Sequence, residues 1–393
     1  MKYKESFHGM LNESAINCSS LIAVEPPPQY SKPVRYILVS VLCLFPVITV
    51  VGNVLVVVAV ATHKRLQTIT NAFIVSLAVA DVTVAILVMP FGIYQQFTNK
   101  QWGLGHTLCV LTLSFDVMFT TCSIVHLSCL AVDRYLAICR PFVHERITNR
   151  IVAGMLALCW IMPIFISFMP IINGWNLLGI EHFNECLFPE GTCGLLVNTG
   201  FALVCSTIAF YLPTILMIIS NIKMFQAAEK QARSIAQQAN QVLSIDDTDH
   251  KKIKRKLRKE TKAAKTIGII MGCFCVCWFP FFILNVIDPL IGYKIPYVPW
   301  TIALWLGYVN SLLNPFLYYN FNRGFRRAFQ RLLLLKTCRG ISEYHDEYIN
   351  TRKASDISTR SSYNFSPNSP SSATDFTQLT DFHHLHPNYK QSF

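Results

Sequence analysis

The sequence predicts an all-α membrane protein: a bundle of seven transmembrane helices with an amphipathic eighth helix on the inner leaflet. Three observations carry that prediction. The chain is 52% hydrophobic and only 14% charged over 393 residues, against roughly 25% charge in a soluble domain. Its apolar residues fall into seven blocks, near 36–61, 71–96, 106–138, 150–172, 197–225, 261–288 and 297–321, each at least the ~20 residues a bilayer demands. Basic residues crowd alternate connections: His63-Lys64-Arg65 joins the first two blocks, Arg140, Arg146 and Arg150 follow the third, and a dense run over 251–265 precedes the sixth. The other connections hold Lys100, Lys294 and, between 172 and 197, neither Lys nor Arg. Positive loops stay cytoplasmic, so the N-terminus is placed outside and the plasma membrane is the expected location. The net charge of +12 is therefore a topology signal. Nucleic-acid binding is set aside, because no soluble domain presents a basic patch.

Taken in order, 1–35 is an extracellular tail. Residues 1–25 lack the apolar core of a signal peptide, so the first span acts as its own insertion signal. Asn12-Glu13-Ser14 and Asn17-Cys18-Ser19 are glycosylation acceptors on the outer side, and Pro26-Pro27-Pro28 separates the tail from the bundle, 36–321. The fifth span is expected to continue as helix through 226–241. Residues 244–250 are acidic and polar and expected to be mobile, with helix resuming at 253–265 into the sixth span. In 322–338, Phe325-Arg326-Arg327-Ala328-Phe329-Gln330-Arg331-Leu332-Leu333 mixes basic and apolar positions as a helix on the inner leaflet does. Cys338 behind it is a candidate for palmitoylation. Residues 339–393, rich in Ser, Thr, Asn, Asp and Pro from Ser342 onward, read as a disordered cytoplasmic tail, with Arg352-Lys353-Ala354-Ser355 as a basophilic kinase site.

The third block is the most informative. Asp116 lies inside it, and a carboxylate in hydrocarbon is expensive and functional by default. Eighteen residues on comes Arg134, within Asp133-Arg134-Tyr135. Eighteen residues are five helical turns, so both side chains share one face about 27 Å apart. One helix thus carries an anionic site near one end and a cationic site near the other. The sixth block repeats the spacing: Glu260 precedes Trp278 by eighteen residues, and Trp278, Phe281, Phe282 and Asn285 form one stripe. Trp305 and Tyr308 share a face of the seventh. Aromatic walls suit a cation and a flat ring, and Thr120 lies one turn deeper than Asp116 on the same face. On this reading the site suits a small cation that carries a flat ring, with Ser206 and Asn285 as polar partners for the ring.

Most of the fourteen cysteines lie inside spans, where they behave as small apolar residues. Cys109 and Cys193 face the oxidising side and are expected to bridge, clamping the outer loop over the third span. Cys18 and Cys186 are a second outer pair. No Cys/His cluster has zinc-type spacing.

Single-residue markers accumulate along the chain: Gly52-Asn53-Val54, Leu77-Ala78-Val79-Ala80-Asp81, Asp133-Arg134-Tyr135, Trp160, Phe210-Tyr211-Leu212-Pro213, Cys277-Trp278-Phe279-Pro280 and Asn314-Pro315-Phe316-Leu317-Tyr318. Over about 36–335 the chain resembles the class A (rhodopsin-like) G-protein-coupled receptors. With Asp116, Trp278-Phe279-Pro280-Phe281-Phe282 and Trp305-Leu306-Gly307-Tyr308 it is similar to the biogenic amine group, and is closest there to type-4 serotonin receptors. Phe168-Met169-Pro170-Ile171, Gly174-Trp175-Asn176, Glu260-Thr261-Lys262-Ala263-Ala264-Lys265-Thr266, Ile270-Met271-Gly272-Cys273-Phe274-Cys275, the trio Cys205, Ser206 and Ala209, and Asn285 carry that likeness. The outer loop over 181–193 and the tail depart from it. The Cys18/Cys186 pair and Lys230-Gln231-Ala232-Arg233 are similar to trace-amine receptors instead.

The resemblance implies a ligand site of Asp116, Thr120, Cys205, Ser206, Trp278, Phe281, Phe282, Asn285, Trp305 and Tyr308. It implies a sodium pocket at Asp81, Ser123, Asn310 and Asn314, sodium acting as an allosteric ion with no other cofactor. The G-protein switch is implied at Asp133, Arg134, Tyr135, Glu260, Asn314, Pro315 and Tyr318, with Arg134 and Glu260 pairing in the off state and Pro280 as the pivot of the sixth span. The implied partners are an amine, a stimulatory heterotrimeric G protein, arrestin and receptor kinases at the C-terminal tail, and the lipid bilayer. A transporter is disfavoured because no internal repeat appears. A retinal opsin needs a Schiff-base lysine in the last span, and there is no Lys between Lys294 and Lys336. No enzyme is expected: no nucleophile stands with a base, and His126 reads as a packing or polar-network residue.

Overall fold

The first apolar block forms one helix, Lys32–Thr62, which a proline opens at its first turn. The structure, a computed structural model, describes residues 30–241 and 247–333, the side chains of 228, 231, 232, 235–241 and 247–267 excepted. The second span is two helices, Ile69–Leu87 and Met89–Phe97, broken at Val88. The sequence predicts it unbroken over 71–96; Pro90 lacks the amide hydrogen that a continuous ladder needs. Thr68 caps its start by accepting the Asn71 amide.

The third span, His106–Cys139, is 34 residues long, about 50 Å at 1.5 Å per residue. A short helix, Pro141–His144, comes after it, and the fourth span is Asn149–Ile172, capped by Thr148. The outer connection then folds a second short helix, Glu181–Leu187, which the periodicity does not predict. The fifth span runs Thr199–Ser206, through a wide π turn at Thr207–Tyr211, into Leu212–Gln241. Pro213, which has no N–H for the carbonyl four residues back, sits just past the wide turn. The sixth helix is Asp247–Leu290. It starts before the expected 253, so 247–250 is helical, while 242–246 lie outside the described residues. The seventh is Tyr297–Phe321, and Arg323–Leu333 continues as a separate helix.

Six of these helices are apolar and long enough to cross a bilayer by composition. The seventh is 25 residues long, ample for a crossing, but Asn310, Ser311 and Asn314 temper its hydropathy. Those polar residues are buried: they face the bundle, while Ile302 and Phe316 are exposed on the outside of the helix.

Two apolar cores stack along the bundle. The inner joins Val56, Phe73, Leu77, Ile124, Leu127, Phe210, Phe274, Trp278 and Tyr318; the outer joins Val84, Met89, Met118, Phe119, Trp305 and Tyr308. Close approach needs small residues: a Cβ on Gly52 would lie 2.9 Å from the Pro315 ring, so the first and seventh spans touch there. A polar knot ties spans two, three and four. His126 Nδ1 lies 2.8 Å from the Cys122 carbonyl, which fixes the proton on Nδ1. Nε2 therefore accepts from the Ser76 hydroxyl at 2.7 Å, and Ser76 accepts from the Trp160 indole at 3.0 Å. His126 is thus a network residue, as read from the sequence.

Candidate functional site

Asp116 faces the outer half of the bundle. The Tyr308 hydroxyl donates to its Oδ2 at 2.9 Å, while Oδ1 is buried with no hydrogen-bond partner. Trp305 meets Tyr308 edge-on, with ring centres 5.4 Å apart. The sixth-span stripe stands as the spacing required: Trp278 touches Phe281 edge-on at 5.7 Å, and Phe281 touches Phe282 at 5.4 Å. Phe210 stacks flat on Phe282 at 4.2 Å. Asn285 donates to Ser206 Oγ at 3.0 Å, joining spans five and six. Ser206 is fully buried and Cys205 beside it half-buried, both just ahead of the π turn. Thr120 is buried on the third span. The Trp278 indole lies so close to Gly307 that a Cβ there would fall 2.6 Å from it. The site residues thus comprise a half-buried carboxylate with one buried oxygen, a run of contacting aromatic rings, and a bonded amide–hydroxyl pair.

A strap crosses above. Cys109 and Cys193 are disulfide-bonded, with Cα atoms 5.8 Å apart. Cys109 lies seven residues before Asp116, about 10 Å along the helix. Gln95 donates to the Cys193 carbonyl at 3.0 Å, and Asn176 to the Leu196 carbonyl at 2.8 Å. Cys186 is also disulfide-bonded; Cys18 lies outside the described residues, as do Asn12, Asn17 and Cys338.

Deeper in the bundle, Asn314 donates to Asp81 Oδ2 at 2.8 Å. Asp81 Oδ1, Ser123 Oγ, Asn310 Oδ1 and Asn314 Oδ1 are buried without hydrogen-bond partners, and the Tyr318 hydroxyl likewise. A concentration of hard oxygens with one carboxylate fits a hard cation such as sodium.

At the cytoplasmic end, Arg134 grips its neighbour Asp133: Nη2 lies 2.7 Å and Nε 3.0 Å from Oδ2. Thr70 donates to the same oxygen at 2.9 Å, and Arg134 Nη2 also contacts the Thr70 hydroxyl. His144 Nε2 reaches Asp133 Oδ1 at 3.1 Å. Tyr135 is half-buried, and Pro315 and Tyr318 are buried on the seventh span. The side chain of Glu260, the expected partner of Arg134, lies outside the described residues. Sequence reasoning missed Thr70 and His144. Pro141, opening a helix right after Arg140, was the available signal for His144; nothing in the pattern marked Thr70.

The family description "7 transmembrane receptor (rhodopsin family)" matches residues 52–318. The chain is 44% identical over 316 residues to the 5-hydroxytryptamine receptor 4 of Cavia porcellus, covering 76% of this chain and 80% of that one. It is 39% identical over 322 residues to the octopamine receptor beta-2R of Chilo suppressalis, with 76% and 80% covered. It is 36% identical over 288 residues to the trace amine-associated receptor 4 of Mus musculus, with 73% and 82% covered.

Proposed function

The chain belongs to the rhodopsin family of seven-transmembrane receptors, and we propose that within it this protein is a receptor for serotonin that signals through a stimulatory G protein. As a family member it is a multi-pass plasma-membrane receptor and not an enzyme. The single observation that carries the amine reading is Asp116 Oδ1, a buried carboxylate oxygen without a partner, beside aromatic rings. A protonated amine supplies the missing donor. Such a charge-assisted bond, away from water, is worth roughly 1.5–3 kcal/mol net.

The choice among amines rests on the opposite wall. Asn285 and Ser206 offer an amide and a hydroxyl together, suited to a ring hydroxyl and an indole N–H, and the relatives named for 5-hydroxytryptamine share more residues with this chain than those named for octopamine or trace amines. Agonist binding shifts a pre-existing equilibrium toward a state with an open cytoplasmic cleft. Pro280 lies inside the sixth helix and is the natural pivot. The inner end swings away from Arg134, and the G protein enters beside Arg134 and the second inner connection. Asp81 with Ser123, Asn310 and Asn314 holds sodium in the off state.

The test is cAMP accumulation in transfected cells across serotonin, octopamine and tyramine. Serotonin should raise cAMP at the lowest concentration. A response to octopamine or tyramine with none to serotonin overturns the assignment.

A further inference from the structure

The outer connection over 191–198 is tied down at successive points. The Trp102 amide donates to the Gly191 carbonyl at 2.6 Å, Cys193 is bridged to Cys109, and the Asn198 side chain donates to the Trp175 carbonyl at 2.8 Å. The segment therefore runs from the top of the third span to the top of the fifth. Asp116 stands on one of those helices and Ser206 on the other, so the strap spans the mouth of the amine site. Its link to the remaining side of the mouth comes from the loop between spans six and seven. There the buried Tyr293 hydroxyl donates to the Val197 carbonyl at 2.9 Å, and its ring lies 5.2 Å from Phe183.

Tyr293 is held in place at a cost. Its φ is 59°, in the left-handed region, after Gly292 at 75°, where a non-glycine residue stores strain. Asp288 braces the loop: its carbonyl accepts the Tyr293 amide at 2.8 Å, and its carboxylate accepts the Ile295 amide at 3.0 Å and the Trp300 indole at 3.1 Å. Trp300 meets Phe281 edge-on at 5.6 Å, and Phe281 meets Trp278. Contacts thus run unbroken from the strap to the floor of the site. Burial, then the charge of Asp288, push the Tyr293 phenol up to about 12, so it keeps its proton and remains a donor at physiological pH.

We propose that Tyr293 is a latch: it holds the strap over the mouth and sets how fast ligand passes in and out. The inference rests on the amine-site reading, and two readouts keep the two apart. The first needs no amine. Cys205 is half-buried next to Ser206, whose hydroxyl accepts from Asn285, and its modification by a water-soluble cationic methanethiosulfonate, followed by mass spectrometry in full-length receptor against a Cys205→Ala background, is the measure of how open the mouth is. Tyr293→Phe keeps the ring and removes the hydroxyl. Modification should quicken about fivefold, the factor one buried hydrogen bond carries. Tyr293→Gly, which tolerates the φ without strain, should be at least as fast. An unchanged rate in both variants overturns the latch.

The second readout is association and dissociation of tritiated serotonin. Both rates should rise together in Tyr293→Phe, leaving Kd within about twofold. Faster dissociation alone, with Kd weakened to match, shows a direct ligand contact and also overturns it. Absence of serotonin binding to the wild-type receptor sinks the serotonin reading, while the Cys205 rates still judge the latch.

Discussion

Replacing Asp116 by asparagine removes the charge and little else. The amide oxygen still accepts the Tyr308 hydroxyl, which stands 2.9 Å from Oδ2, and the side-chain volume is nearly unchanged. What disappears is the charge-assisted part of the bond to the ligand's ammonium. On a wet surface that term is worth 0–1 kcal/mol, about fivefold at most. Here Oδ1 is buried, so the larger range of about 1.5–3 kcal/mol applies, and serotonin affinity should fall roughly 10- to 150-fold. The control is the uncharged analogue in which a hydroxyl replaces the amine, 5-hydroxytryptophol. It has the same ring and no cation, so it should bind both receptors within about threefold. The assay is radioligand competition on membranes, with surface expression matched by antibody labelling. Equal losses for the amine and the alcohol would refute the ion-pair reasoning, because damage to pocket shape penalises both alike. Folding should survive, since removing a buried charge does not leave a new one exposed to hydrocarbon.

Asp81→Asn should abolish the effect of sodium on agonist affinity, seen by comparing binding in sodium with binding in N-methyl-D-glucamine at equal ionic strength; a persistent sodium effect rules this pocket out. Gly307→Ala puts a methyl 2.6 Å from the Trp278 indole, an overpacking of about 1–3 kcal/mol, so the solubilised receptor should melt several degrees lower and an unshifted melting curve contradicts the packing. Cys193→Ser opens a loop of 84 residues, worth at most about 4.5 kcal/mol of chain entropy; ligand binding should weaken severely, and unaltered affinity denies the strap its role. His144→Phe deletes the 3.1 Å contact to Asp133, about 1 kcal/mol, so agonist-free cAMP should rise several-fold, and an unchanged baseline counts against His144 as part of the off-state lock.

The apolar blocks and the alternation of basic loops were legible because a bilayer imposes a length and a sign on every crossing. So were Asp116 and the Trp278–Asn285 stripe, since an intramembrane acid stands out against its neighbours and a 3.6-residue period brings the stripe to one side. The break at Val88 and the wide turn at Thr207–Tyr211 were not. Both accompany prolines, Pro90 and Pro213, yet a proline in a span tells only that the ladder is interrupted, not whether the chain kinks, breaks or widens. A polar-network role for His126 was foreseeable but its partners Ser76 and Trp160 were not, because the bonded pairs lie 50 and 84 residues apart. Tyr293 carried no signal at all: its weight comes from a backbone angle and a carbonyl 96 residues away.

The energetics divide the site into parts with different duties. Moving a two-state receptor from 1:99 to 99:1 takes about 5.5 kcal/mol of differential affinity. The Asp116 ion pair supplies at most about half of that even if it forms in one state alone. Asp116 sits on the long third span and Tyr308 steadies it, so on the proposed amine reading the pair is expected in both states, setting affinity rather than the balance. The discrimination must come from the side that moves. Trp278 lies on the sixth helix two residues before Pro280, pressed against Gly307 and in line with Phe281 and Phe282. A ligand ring that fits this floor in only one of its arrangements biases the helix; a ligand that only satisfies the carboxylate occupies the receptor without turning it on. On the proposed reading, potency therefore belongs to Asp116 and efficacy to the Trp278 side of the site.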